Sequence, residues 1–258
     1  MNILGVNLTL ADFIPPVVKI IIKNTRNKVL DPFDKIPGSV DVRWVIDVGA
    51  NEGRVTLAAL KSFPDSRVIC FEPVKNVFDG LSDRLKLYKD RVVLLNQALS
   101  DVNGEAEINI TTTNSAHSLS PQAPFHKAFN PHVKEKGREK VKLVRLDDIA
   151  PGLPAREIDV LKIDVEGHEL NVLRGGENFI KSSVDTILIE ASFQRDVSWE
   201  KQSFLEIFNL LAAWDFRLVN IYDLASFTNL TCPGDMLVVQ MDCVFRRKSR
   251  LKMPEPAL

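Results

Sequence analysis

The segment Asp47-Val48-Gly49-Ala50-Asn51-Glu52-Gly53 places two glycines four positions apart, directly after a β-branched apolar run. Glycines so spaced let a chain turn tightly and pass close to a ligand where a Cβ would collide. A dinucleotide fingerprint, G-x-G-x-x-G, would need glycine where Asn51 stands, and a P-loop would need Lys-Ser/Thr where the chain reads Arg54-Val55. The loop therefore suits a nucleoside without phosphates. Asp47 would repel an anion but could accept a hydrogen bond from an ammonium or a water. A plain strand-to-helix turn is the simpler alternative. Glu72 lies 19 residues beyond Gly53, at the end of the next apolar run. A carboxylate at that separation can accept from both hydroxyls of a ribose, at about 1.5–3 kcal/mol for each charge-assisted bond. It would equally serve as an acid at a helix start. Asn96-Gln97-Ala98, just past a third run, could meet an adenine edge or form a turn.

These residues have to be positioned by regular elements. From residue 44 onward, short β-branched runs alternate with segments of helical spacing, the pattern of a parallel sheet flanked by helices. The runs Trp44 to Val48, Arg67 to Phe71, Val92 to Leu95 and Asp159 to Asp164 end at Asp47, Glu72, Asn96 and Asp164. In an open α/β sheet, ligands bind outside the carboxyl ends of the strands, where strand order reverses. One polar group after a strand is commonly a helix cap; four in consecutive units predict a site. Helices are predicted near Val55 to Ser62, Val77 to Tyr88, Leu170 to Ile180 and Trp199 to Trp214. Thr186 to Glu190 reads as a fifth strand, and Arg217 to Ile221 with Met236 to Phe245 as an antiparallel hairpin on the sheet edge. The stretch 103–145 breaks the alternation. Within it, Gly104 to Thr113 reads as one or two exposed strands, and Asn114 to Gly137 is polar and holds three of the four histidines. The expected fold is thus a single α/β, Rossmann-like domain over 44–245: a seven-stranded, mostly parallel sheet with helices on both faces and an antiparallel last strand. Residues 1–43 form a leader and covering helix, 103–145 an insertion over the site, and 246–258 a basic tail.

Four segments together resemble the FkbM family of class I S-adenosylmethionine-dependent methyltransferases: Val45 to Thr56 (VIDVGANEGRVT), Phe71-Glu72-Pro73, Asn96 to Asp101 (NQALSD), and Leu161 to Gly167 (LKIDVEG) continuing through Glu169 to Leu173-Arg174-Gly175-Gly176. The resemblance covers about residues 44–192, and residues 1–43 and 200–258, which would shape the acceptor pocket, match weakly. It implies a cofactor, S-adenosylmethionine, with Asp47, Gly49, Asn51 and Gly53 at its amino acid end, Glu72 at its ribose, and Gln97 and Ala98 near adenine. It further implies methyl transfer to a hydroxyl of a glycan or small natural product.

Transfer to a hydroxyl needs the oxygen aligned and its proton removed. Asp164, at a strand end, suits positioning, and Glu166 or His168 suits the general base. Both also fit the first turn of a helix, Glu166 as a dipole-favoured acid and His168 as a cap or surface histidine. Asp147, Asp148, Asp164, Glu166 and Glu190 would suffice for a hard cation, but they are scattered in sequence with no ligand spacing, so no metal is expected. His117, His126 and His132 match no zinc pattern and fit a loop over the acceptor, where Asn114, Ser115 and Ser118 could donate to a polyhydroxylated acceptor or merely be solvated. A nucleotide-dependent oxidoreductase is disfavoured by the missing middle glycine. A binding regulator without catalysis is disfavoured by the acids after the fourth strand.

The whole chain sets the remaining bounds. It has 258 residues, 45% apolar and 26% charged, with 33 Lys+Arg against 34 Asp+Glu. Such a chain buries a substantial core, and its charge balance makes nucleic acid an unexpected partner. Cys70, Cys232 and Cys243 form no CxxC pair, consistent with a reducing, cytoplasmic setting. No apolar run is long enough to span a bilayer. Ile20-Ile21-Ile22 beside Lys19, Lys23, Arg26 and Lys28, with the basic Arg246, Arg247, Lys248, Arg250 and Lys252, would allow at most a weak membrane-surface contact.

Overall fold

The computed structural model describes residues 2–3, 6–7, 32–36, 41–112, 117–119, 134–193, 204–226 and 239–250. In chain order its main elements are β1 (Trp44–Val48), α1 (Arg54–Ser62), β2 (Arg67–Phe71), α2 (Lys75–Leu85), β3 (Val92–Leu95), β4 (Ala98–Leu99), β5 (Gly104–Thr111), β6 (Glu135–Val144), α3 (Leu146–Ile149), β7 (Ile158–Ile163), α4 (Glu169–Gly175), α5 (Glu177–Ser183), β8 (Val184–Phe193), α6 (Phe204–Ala213), β9 (Phe216–Ser226) and β10 (Val239–Arg247). Seven strands form one sheet in the order β9-β10-β8-β7-β1-β2-β3. The pairs β1·β2, β2·β3, β1·β7 and β7·β8 are parallel, and β10 is antiparallel to both its neighbours.

The central strands are fully buried: Val45, Ile46, Val160, Leu161 and Ile163 have no exposed surface. Parallel strands covered by helices on both faces must be apolar throughout, which is why these runs do not alternate. Buried Val77, Leu81 and Leu85 recur every four residues along α2; Leu81 and Leu85 pack with the main sheet and Val77 with the β5–β6 layer. Two core clusters carry the main sheet, and a third lies under β5 and β6.

Three features depart from the sequence expectation. The last strand is antiparallel as expected, but it lies inside the sheet, between β8 and β9, so β9 is the edge. Met241, Cys243, Val244 and Phe245 of β10 are buried, whereas Arg217 of β9 is exposed, and the more apolar strand takes the interior place. The single helix expected over Leu170 to Ile180 is two, broken at Gly175-Gly176. A Cβ on Gly175 would sit 1.8 Å from the Ser100 carbonyl oxygen, so the chain passes there only as glycine. The insertion holds a hairpin, β5 antiparallel to β6, with β4 added parallel to β6. Glu135–Val144 is rich in Lys and Glu because most of its residues face solvent, and this concealed a strand.

The proposed boundary at residue 246 also falls inside β10. Arg247 donates to the carbonyls of Ile180, Lys181 and Val184 and lies 4.8 Å from the Phe216 ring centre, so its charge ties the sheet to α5. Lys248 pairs with Asp215 at 2.7 Å. The apolar segment Val17 to Ile22, the cations from Lys19 to Lys28, Lys252, Cys232, Asn114, Ser115, His126 and His132 lie outside the described residues. No helix among the described residues is long and apolar enough to cross a membrane.

Candidate active site

Strand order reverses between β1 and β7, and a cavity of about 600 Å³ opens at the carboxyl ends of the strands there. That volume falls in the usual range for small-molecule sites. One wall is the loop after β1. Gly49 and Asn51 have positive φ, 73° and 50°, and the amides of Gly49 and Ala50 both donate to the Phe71 carbonyl at 3.0 Å. A Cβ on Gly49 would lie 2.0 Å from the Asp164 carbonyl oxygen. Glycine is thus required by the protein's own backbone, a reason that the ligand-approach argument from sequence did not supply. Gly49, Asn51, Glu72, Gln97 and Ala98 line the cavity.

Asp47 and Gly53 are not among the lining residues. Asp47 is wholly buried beneath the loop, where it accepts from Thr56 Oγ1 at 2.7 Å and pairs through Oδ1 with Lys162 Nζ at 3.2 Å. Near the end of β1 its side chain faces the core, so any influence it has on the cavity passes through Thr56 and Lys162. A Cβ on Gly53 would press on the Leu81 side chain at 2.6 Å, so that glycine packs against α2.

Glu72 is 6% exposed. Its carboxylate accepts from the amide of Asn51 at 2.9 Å and of Val74 at 3.0 Å, joining the β1 and β2 loops. Burial raises the Glu72 carboxyl above its usual range, and the two amide bonds oppose the rise. Asn96, a candidate for the adenine edge, spends its side-chain amide on the carbonyls of Glu72 and Pro73 at 2.8 and 2.9 Å. Asn51 Oδ1 is buried and accepts no hydrogen bond among the described residues. A buried acceptor without a donor carries a desolvation penalty, and an incoming N–H would relieve it.

The opposite wall is the loop after β7. Asp164, Glu166 and His168 all reach the cavity. Glu166 has φ 53°, and Gly167 has φ 94°. Glu169 holds this turn by accepting the amides of Val165 and Gly167 at 3.1 and 3.0 Å. Burial, then Asp164 and Glu169, push the Glu166 carboxyl up to about 8; burial pushes Glu169 up to about 7 against its amide bonds. Lys162 supplies the countercharge from within β7. Its ammonium lies 3.6 Å from Asp164 Oδ2 and donates to the carbonyls of Gly49 and Val48 at 2.9 and 3.3 Å. Burial alone would lower its pKa, but Asp47 and Asp164 hold it above the ordinary lysine range. His168 Nε2 is 3.0 Å from Ser100 Oγ, and burial lowers the imidazole pKa against the pull of Asp101.

The fold also gathers carboxylates that are distant in sequence. Asp164, Glu166 and Glu190 each bring one oxygen within 4.8 Å of the others, so this trio is not scattered and could hold a hard cation. Burial, then Asp164 and Glu166, raise the Glu190 carboxyl well above its usual range. Asp147 and Asp148 are elsewhere. Asp147 caps α5 by accepting the amides of Asn178 and Phe179 at 3.2 and 2.8 Å, and Asp148 accepts from Asn103 at 2.6 Å.

The β5–β6 hairpin reaches over the cavity with Ile108, Thr112, His117 and Leu119. His117 Nδ1 accepts the Thr111 amide at 3.1 Å, and burial lowers the His117 pKa. Ser118 Oγ donates to the Glu166 carbonyl at 2.6 Å, which ties the hairpin to the β7 loop. Sequence reasoning passed over Lys162, although a lysine within an apolar strand run is buried only when paired, and that was a usable signal. Nothing local marks Ser100 as the partner of His168.

Over residues 47–218 the chain matches the family model described as the methyltransferase FkbM domain. It is 27% identical over 169 residues to methyltransferase sdnD of Sordaria araneosa, covering 57% of this chain and 65% of that protein. It is 30% identical over 152 residues to hexuronic acid methyltransferase AglP of Haloferax volcanii, covering 58% of this chain and 55% of that protein. The match thus spans less than two thirds of the length of these relatives. The crystal structure of methyltransferase FkbM from Methylobacillus flagellatus KT is similar with a TM-score of 0.50 at 17% identity, covering 82% of this chain and 45% of that one, a likeness of fold.

Proposed function

The chain belongs to the FkbM methyltransferase family, and from that premise we propose that it transfers a methyl group from S-adenosylmethionine to a hydroxyl of a glycan or small natural product. The observation that carries this reading is the pairing of two walls across one cavity: a phosphate-free glycine loop with Glu72 on one side, and Asp164, Glu166 and His168 on the other. The residues present fit the cofactor. The orphaned Asn51 Oδ1 suits an ammonium at the amino acid end. Glu72, held by two backbone amides, keeps lone pairs free for ribose hydroxyls. Gln97 and Ala98 also line the cavity and would meet the adenine.

When bound, S-adenosylmethionine supplies a methyl group already activated by a sulfonium. The protein then has to align an acceptor oxygen and take its proton, a role worth about 10²–10⁴ in rate for a positioned base. Asp164 would orient the hydroxyl, and Glu166 or His168 would receive its proton. Asp47 and Lys162 act behind them: Lys162 joins the glycine loop to Asp164, so the two walls are set by one buried ammonium. The hairpin residues His117 and Leu119 would shield the reacting atoms from water. The relative named for hexuronic acid supports a hydroxylated sugar as one acceptor class.

Calorimetric titration with S-adenosylmethionine, S-adenosylhomocysteine and NAD tests the reading. Binding of the first two and not of NAD is expected, followed by methyl transfer in a screen of hydroxylated acceptors. Binding of NAD alone would overturn it.

A further inference from the structure

His168 is a candidate base with one ring nitrogen already engaged by a neighbour, Nε2 with Ser100 Oγ. Ser100 is 1% exposed and donates its hydroxyl proton to Asp101 Oδ1 at 3.1 Å. Asp101 also accepts from Asn171 Nδ2 at 2.9 Å. Burial would raise the Asp101 carboxyl, but the bonds from Asn171 and Ser100 hold it below the usual range, so it is an acceptor only. A hydroxyl has a single proton. The ionised Asp101 is the stronger acceptor for that proton; with the proton there, Ser100 Oγ, 3.0 Å from His168 Nε2, accepts from the ring and Nε2 carries the hydrogen. A neutral imidazole protonated at Nε2 has its lone pair on Nδ1. His168 stands at the N-cap of α4, where a side-chain acceptor could have been consumed by a backbone amide, but it makes no such cap bond. His168 also lines the cavity.

The backbone that carries the Ser100 side chain is held on both sides. Its amide donates to the Val144 carbonyl at 3.0 Å, and its own carbonyl fills the space that only a glycine at 175 leaves open. The helix break at Gly175-Gly176 and the His168 contact therefore meet at one residue, through its carbonyl and its hydroxyl.

We propose that Ser100 and Asp101 are positioning residues that hold His168 in its Nε2–H tautomer, leaving Nδ1 as the base for the acceptor hydroxyl. The proposal rests on the methyl-transfer reading for its chemistry, but its geometry does not. As the acceptor oxygen forms its bond to the methyl carbon, the electron pair of the broken carbon–sulfur bond stays on sulfur, which becomes a neutral thioether. His168 Nδ1 takes the hydroxyl proton. One positive charge is lost at sulfur and one appears on the imidazolium, where Asp101, through Ser100, stabilises it.

The tautomer can be read directly, without cofactor or acceptor, by long-range ¹H–¹⁵N correlation on histidine-labelled protein, with the resonance assigned by His168→Gln. Wild type should show a single Nε2–H species. Ser100→Ala, which removes the acceptor, and Asp101→Ala, which frees the serine proton, should both give tautomer mixtures; Asp101 is only partly buried, so the second variant guards against misfolding of the first. In turnover, both variants should lose about tenfold or more in kcat with the KM for S-adenosylmethionine unchanged, because a base in the wrong tautomer binds but does not react. An Nδ1–H species in wild type, or variants with unaltered tautomer and kcat, would overturn the proposal. A protein that keeps the Nε2–H tautomer yet binds no S-adenosylmethionine would instead sink the methyl-transfer reading and leave the hydrogen-bond chain standing.

Discussion

At the scale of single residues, the same carboxylate can be a ligand contact or a structural tie, and burial separates the two. Glu72 is a tie through the Asn51 and Val74 amides, and it also borders the cavity where we propose the ribose binds. Glu72→Ala should weaken S-adenosylhomocysteine binding by about 2 kcal/mol, roughly thirtyfold, as measured by calorimetry. Asp47 ties Thr56 to Lys162 beneath the loop. Asp47→Ala would strand the Lys162 ammonium in the core at a cost of about 3–5 kcal/mol, so a drop in melting temperature, rather than a selective binding defect, is its expected signature. The acids of the β7 loop give a pH dependence. Glu166, raised to about 8, and Glu169, raised to about 7, are easier to protonate in the fold than in the unfolded chain. Their contribution is fully present below about pH 4.5 and is lost as pH rises through those folded values. Urea midpoints should therefore fall between pH 5 and 8, and Glu166→Gln, which cannot ionise, should flatten the fall.

At the scale of elements, what places the site is a set of close approaches between loops. The β1 loop lies on the Asp164 carbonyl through Gly49, and the break between α4 and α5 lies on the Ser100 carbonyl through Gly175. Gly175→Ala would drive a Cβ into backbone that has no slack. A loss of about 1–3 kcal/mol in unfolding free energy is expected, with a matching disturbance of His168. An unchanged melting curve would show that the helix pair can shift. The hairpin is coupled by a smaller link, Ser118 to the Glu166 carbonyl. The hairpin was half legible. Gly104–Thr111 alternates as a strand should, but Glu135–Val144 packs only its last few residues inward, and its charged remainder has no apolar period to read.

At the scale of the whole molecule, a ligand that binds the folded chain alone stabilises it by mass action. S-Adenosylhomocysteine at about 100 times its dissociation constant should add about 2.7 kcal/mol, a rise of roughly 5–10 °C in a domain of this size. NAD should add nothing. A thermal scan with both ligands checks this, and a shift with NAD alone would favour the dinucleotide reading that the missing middle glycine at residue 51 argues against. Adding Mg²⁺ or a chelator to the same scan tests whether the Asp164, Glu166 and Glu190 trio holds a cation, the possibility opened when the fold brought these acids together.

The sequence by itself determined the strand and helix alternation, the loop after each strand and eight of the cavity-lining residues, because apolar period and strand-end chemistry are local and survive in one dimension. Gly49, Asn51, Glu72, Gln97, Ala98, Asp164, Glu166 and His168 were all legible in that way. Only the tertiary structure decided that Asp47 faces a buried lysine, that β10 lies inside β9, that Glu190 joins Asp164 and Glu166, and that Ser100 meets His168 across 68 residues. Each of those depends on which strands are neighbours and how deeply a side chain is buried. Such relations are set by close packing between distant segments, and no spacing along the chain encodes them.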